Sequence, residues 1–164
     1  MKVLNIHNRT INASKDAVAE LLITLSTEND MVWPNKHWPA MKFKGGMKLG
    51  AKGGHGPIRY AVEKYDPHAT IQFRFTSPLG FNGIHKFDVK ELSDRQTEVT
   101  HVIDMKTNMR GAFIWLFAVK SLHNALVEDG LDKLENHFSE EEKSTMWNLW
   151  VRVLRYGFGG GGRN

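Results

Sequence analysis

Two histidines stand where strand alternation calls for apolar side chains. His85 leads the alternating run His85, Phe87, Val89, and His101 falls within Val99, His101, Ile103, Met105, the period-2 pattern of strands with one buried face. Ser93-Asp94-Arg95 between them is turn chemistry. A hairpin turning near Asp94 sets residue 87 opposite 101 and residue 85 opposite 103, so the two imidazoles lie diagonally on one face, within reach of a shared ligand or water. A neutral imidazole donates or accepts a hydrogen bond and titrates near neutral pH, which suits a polar anchor or an acid–base pair in an apolar pocket. The competing reading makes each an interior histidine satisfied by backbone or by Tyr60.

Other chemistries find less support. His55, His85, His101 and His123 could converge with Asp104 or Glu63 on a metal, but no close ligand spacing, HExxH motif or cysteine pair accompanies them. No metal and no cofactor is therefore expected. Ser77 and Ser121 lack a Gly-x-Ser-x-Gly elbow, and the glycines from Gly45 to Gly56 lack the phosphate-cradling GxxxxGK[ST] arrangement. Trp33, Trp38 and Trp115 suit either an aromatic clamp, with Trp38 its strongest member, or ordinary core.

The elements that must position these residues follow from spacing. Val3 to Ile11 reads as an edge strand. Ser14 is placed as an N-cap, with Asp16 in the first turn and Val18, Leu21, Leu22 and Leu25 at helical spacing. Pro34 and Pro39 restrict the segment 29–40 to a short helical turn and a loop. Met41 to Gly56 predicts a short strand and a flexible turn at Gly50-Ala51-Lys52-Gly53. An antiparallel meander follows, with inward alternation at Ile58, Tyr60, Val62, then Ile71, Phe73, Phe75, then the two histidine strands. Gly111 opens the longest helical pattern, ending near Phe138; its first turns are apolar nearly all round, which predicts burial on most sides with the sheet wrapped around that first half. Glu140 to Tyr156 forms a second amphipathic segment with Met146, Trp147, Trp150, Val153 and Leu154 at helical spacings, and Gly157 to Asn164 is a glycine tail.

Composition bounds the rest. A chain of 164 residues with 41% hydrophobic content can bury one core unaided, and the lack of cysteine excludes disulfides, thiolate metal sites and a cysteine nucleophile. The polar N-terminus and the lack of any stretch near the roughly 18 apolar residues of a membrane span suggest a cytoplasmic protein. Lysines and arginines are scattered despite the net charge of +4, so no nucleic-acid partner is expected.

The order strand, short helices, loop, antiparallel meander, long C-terminal helix resembles the START-related helix-grip superfamily, including pollen-allergen-like lipid carriers and polyketide cyclase/dehydrase-like proteins. Gly54-His55-Gly56-Pro57-Ile58-Arg59-Tyr60 followed by Glu63-Lys64-Tyr65-Asp66-Pro67 looks like the strand pair carrying a pocket aromatic and a tyrosine–acid–proline turn. Phe73-Arg74-Phe75, Gly83-Ile84-His85-Lys86-Phe87 and Thr100-His101 look like the next three strands of bacterial members. The resemblance implies an α+β helix-grip fold, in which a bent antiparallel sheet wraps a long C-terminal helix around a cavity for an apolar or aromatic small molecule. Alternation then assigns Tyr60, Phe73, Phe75, His85, Phe87, His101 and Ile103 to the cavity, closed by Trp115, with His123 of the helix a further candidate and the Trp33 to Trp38 loop, Trp38 included, at the rim. Residues 1–138 form that domain in this reading, and 139–164 an added amphipathic helix and glycine-rich tail. Binding or transport of a lipid- or polyketide-like molecule is the first expectation; a cyclase- or dehydratase-type enzyme using His85 or His101, and an interaction module acting through the tail, are the alternatives. The tail's basic, aromatic face could meet an anionic membrane, but its short stripe favours packing on its own domain or a homodimer contact.

Overall fold

A computed structural model describes residues 1–157. Among them, seven antiparallel strands form one sheet in the order β1-β7-β6-β5-β4-β3-β2: β1 (Lys2–Ile11), β2 (Lys42–Phe43), β3 (Lys52–His55), β4 (Ile58–Asp66), β5 (Thr70–Ser77), β6 (Phe81–Ser93) and β7 (Gln96–Thr107). Helix α1 (Lys15–Ile23) follows β1, where the Ser14 hydroxyl accepts from Ala17 N at 3.3 Å and Val18, Ala19 and Leu22 are buried. The long helix comprises α2 (Met109–Ile114), a π-helical turn (Trp115–Val119) and α3 (Lys120–Asn136); α4 (Leu149–Gly157) ends the described chain. This is the α+β helix-grip fold expected from the sequence.

The meander registers as alternation requires. His85 stands opposite Ile103 and Phe87 opposite His101, so the imidazoles share the concave face. The flexible turn expected at Gly50-Ala51-Lys52-Gly53 is partly strand, since Lys52 and Gly53 open β3, which forms a hairpin with β4. A two-residue turn at Gly56-Pro57 closes this hairpin with Gly56 at φ 48°, a conformation that favours glycine. It seats His55 opposite Ile58. Between α1 and β2, a single helical turn from Pro34 to Trp38 is followed by loop. Asp30 organises the approach to it, its carboxylate accepting from the backbone amides of Ser26, Val32 and Trp33 at 2.7, 2.9 and 2.7 Å.

Two expectations about the helices are corrected. The first half of the long helix is not buried on most sides: Phe113, Leu116 and Phe117 are each more than half exposed, and only Trp115 turns deeply inward. The concave sheet face there is already filled by Phe81, Ile103 and Met105. It is the second half, through Leu126, Val127, Leu131 and Leu134, that enters the main core, because α1 and the Val32–Trp38 loop close around it as well as the sheet. The C-terminal helix begins at Leu149 rather than near Glu140. Residues 139–148 are a non-helical strap, and Asn148 Oδ1 accepts from Val151 N at 2.9 Å, starting the helix as an N-cap. The strap is tied to α3 by reciprocal bonds between the Asn136 amide and the Lys143 backbone, both 2.8 Å, and by Thr145 N donating to Asp132. Met146 is exposed as a result. The glycine tail beyond Gly157 lies outside the described residues.

Candidate functional site

The core is divided. One cluster joins α1, the Val32–Trp38 loop, the inner faces of β4 to β7 and the second half of the long helix; the other joins Val3, Phe81, Ile103, Met105 and Trp115. A seam of polar rings runs between them. His85 stacks between Phe73 and Phe75 at ring-centre distances of 4.7 and 4.9 Å and meets Tyr60 edge-on at 4.5 Å. His101 lies 5.8 Å from His85 and 5.0 Å from His123, with Phe87 edge-on at 4.7 Å. His123, from α3, also contacts Trp115 at 6.0 Å.

Both ends of this seam are hydrogen bonded, while its centre holds buried polar atoms without a partner among the described residues. At the β3–β4 end, His55 Nδ1 is 3.1 Å from the Tyr60 hydroxyl, and the His55 ring packs on Trp33 at 4.8 Å. At the β1 end, His7 lies 2.6 Å from Glu128 and 3.1 Å from Asn124 Oδ1, and its ring is 6.1 Å from His123. Between those ends, Nε2 of His85, Nδ1 of His101, Nδ1 of His123 and Oδ1 of Asn5 are buried with no protein hydrogen-bond partner among the described residues. Asn5 and His85 flank Ile103 in register from its two neighbouring strands, which brings these polar atoms to one part of the face. Buried polar groups carry a desolvation cost unless something bonds them. This clustering marks the seam as the candidate site.

Burial also sets its charge. Desolvation holds His85, His101 and His123 well below the ordinary histidine range, with repulsion among neighbouring imidazoles acting in the same direction. His55 is lowered to about 4 by burial and by Arg59. Tyr60 is pushed up by burial and keeps its proton. His55, His85, His101 and His123 are therefore neutral hydrogen-bonding rings at physiological pH. Among the described residues no group of three or more His, Asp or Glu is arranged to hold a metal.

The far wall is charged. Arg9, on the inner face of β1, donates to Glu128, Asp132 and Glu135 of α3 at 2.8, 2.9 and 2.6 Å. Burial works to raise the Glu135 carboxyl, but hydrogen bonds from Lys143 and Arg9 outweigh it and hold the group below its usual range. This lattice fixes the helix against the edge strand next to the seam.

Of the residues singled out from sequence, Tyr60, Phe73, Phe75, His85, Phe87, His101, Ile103 and Trp115 lie in or against the seam. Trp38 is engaged elsewhere: its indole donates to Asp129 at 2.7 Å and packs on Trp147 at 5.6 Å, with the Arg155 guanidinium 4.5 Å over both rings. Trp33, Trp38 and Trp115 thus have three different sets of partners, and the structure does not bring them together as one clamp. A void of about 20 Å³, room for roughly one water, sits behind Phe87 among Leu22, Trp33, Val99, Leu126 and Leu131. Sequence reading missed Asn5, His7 and Arg9. Their signal was present, since they alternate with Val3 and Ile11 on one face of β1, but polar residues on an edge strand read as solvent-facing until a charged helix is placed over them.

The helix-grip fold is shared with solved structures of low sequence identity. A solution NMR structure from Thermobifida fusca superposes with a TM-score of 0.63 at 12% identity, over 87% of this chain and 99% of that one. Norcoclaurine synthase from Thalictrum flavum, in complex with dopamine and hydroxybenzaldehyde, gives 0.64 at 11% identity over 86% and 90%. A conserved protein of unknown function, EF2215 from Enterococcus faecalis, gives 0.61 at 12% over 96% and 84%. No protein-family model and no curated protein matches the sequence. At such identities the likeness establishes the fold and leaves function to the site.

Proposed function

We propose that the protein binds an apolar or aromatic small molecule between the sheet and the long helix, with a polar group of that molecule bonded by His85, His101 and His123. The observation that carries this reading is the set of buried, unpartnered ring nitrogens within aromatic walls. A flat ligand carrying a hydroxyl or carbonyl would stack against Phe75 or Phe87 and satisfy nitrogens that otherwise incur a desolvation cost. Norcoclaurine synthase, with its two aromatic ligands, offers a precedent on the same fold. Admission of a ligand requires the helix and sheet to separate, and the π-helical turn at Trp115–Val119, whose altered hydrogen bonding often marks functional positions, provides a natural place for that movement.

Binding is favoured over acid–base turnover by the charge state. A base whose basicity burial has reduced is poorly matched to proton abstraction near pH 7. The test is native mass spectrometry of the purified protein, followed by thermal shift with a panel of phenols, aromatic ketones and fatty acids. A bound molecule or a ligand-induced rise in Tm that His101→Leu removes while the fold is retained would support the proposal. An empty protein whose Tm no member of the panel moves would overturn it.

A further inference from the structure

The first half of the long helix and α4 present apolar side chains to solvent together. Phe113, Leu116 and Phe117 are 63%, 52% and 56% exposed, and Leu149, Trp150 and Val153 of α4 are 74%, 48% and 50% exposed. The two groups are joined, because Trp150 Nε1 donates to the Phe117 carbonyl at 3.1 Å, and the Phe113 ring packs at a tilt on Phe117 with centres 4.5 Å apart. The opposite side of α4 is used internally: Val151 enters the main core and Arg155 lies over Trp38 and Trp147. Its outer face is therefore held in place with nothing of the described chain covering it. Contiguous apolar surface of this kind marks a site of association.

Charge identifies the partner. From Met105 to Val127, and from Lys143 to the last residue, the sequence contains no Asp or Glu, so all 18 acidic residues lie elsewhere, while Lys106, Arg110, Lys120, Arg152 and Arg155 fall within these stretches. Arg110, Lys120 and Arg152 are exposed on the same two helical segments as the apolar side chains. A twofold contact with a second copy would set these cations against their own counterparts with no local carboxylate to pair them. An interface of aromatic and aliphatic side chains, exposed Trp150 and Tyr156, and flanking arginine and lysine instead matches the boundary layer of an anionic bilayer. We infer that the face formed by Phe113–Phe117 and the outer side of α4 docks on anionic lipid membranes, lying in the headgroup layer without crossing it.

Sedimentation of the full chain with vesicles of phosphatidylcholine alone, or mixed with phosphatidylglycerol, tests this. Binding to the mixed vesicles is expected, weakening with salt and much lower on the neutral ones. Arg110→Gln, Lys120→Gln and Arg152→Gln combined should reduce partitioning on the order of 100-fold, from about fivefold per basic residue at the surface. Phe117→Ser with Val153→Ser should abolish it, with circular dichroism confirming that the fold is intact. No binding to the mixed vesicles overturns the inference. So does a stable dimer in analytical ultracentrifugation that the serine pair dissociates, because the face would then belong to a second copy.

Discussion

Acidification should unfold this protein through its interior histidines rather than its carboxylates. His55, His85, His101 and His123 all have folded-state pKa values lowered by burial. A lowered histidine pKa means the unfolded chain takes up the proton first, so the stability present above about pH 6.5 is lost as pH falls toward the folded value. With four such groups still neutral in the native state, the linkage is up to four protons. That amounts to a loss of up to about 6 kcal/mol at pH 5.5 and about 8 kcal/mol at pH 5, against a typical domain stability of roughly 5–15 kcal/mol. Glu135 acts in a separate window: its lowered pKa contributes stability that is present above the unfolded carboxylate value and disappears only as pH falls below it. The assay is urea denaturation at half-unit steps from pH 7.5 to 5, with the slope of unfolding free energy against pH read as protons taken up. His101→Leu should remove about one proton from that slope and, by deleting a buried unpartnered nitrogen, leave the protein at pH 7 as stable or about 1–3 kcal/mol more so. A slope of less than one proton between pH 6.5 and 5 would refute the neutral buried seam.

Other consequences follow from the packing. Arg9→Met leaves Asp132 and Glu135 nearly buried without their shared cation and should cost about 3–5 kcal/mol in chemical denaturation. Asp129→Ala takes the acceptor from both the Trp38 and Trp147 indoles; a loss of about 2–4 kcal/mol, with red-shifted tryptophan emission as the strap loosens, is expected. Gly83→Ala would place a Cβ 2.2 Å from the Asp104 carbonyl oxygen and 2.4 Å from Met105 Cα. Because both are backbone atoms of the paired strand, the β6–β7 contact must open, and a drop in Tm of several degrees should accompany a loss of about 2 kcal/mol or more.

What the sequence determined is what short-range periodicity encodes. The period of two placed His85 and His101 on the same face as Phe87 and Ile103, and the turn at Asp94 set the 85–103 and 87–101 register, because adjacent antiparallel strands leave little freedom once the turn is fixed. The helical period likewise located α1 and the long helix. What only the tertiary structure decided depends on which surfaces meet. Apolar content in Gly111–Val119 implied burial, but burial depends on whether space remains opposite, and α1 with the Val32–Trp38 loop encloses the other half of the helix instead. His7 and Arg9 became partly buried through the carboxylates of α3, more than a hundred residues away in the chain. Trp38 became part of a clasp through Asp129, Trp147 and Arg155 for the same reason. Pairing between distant elements leaves no period in the sequence, so the β1 end of the seam and the clasp were set by tertiary packing alone.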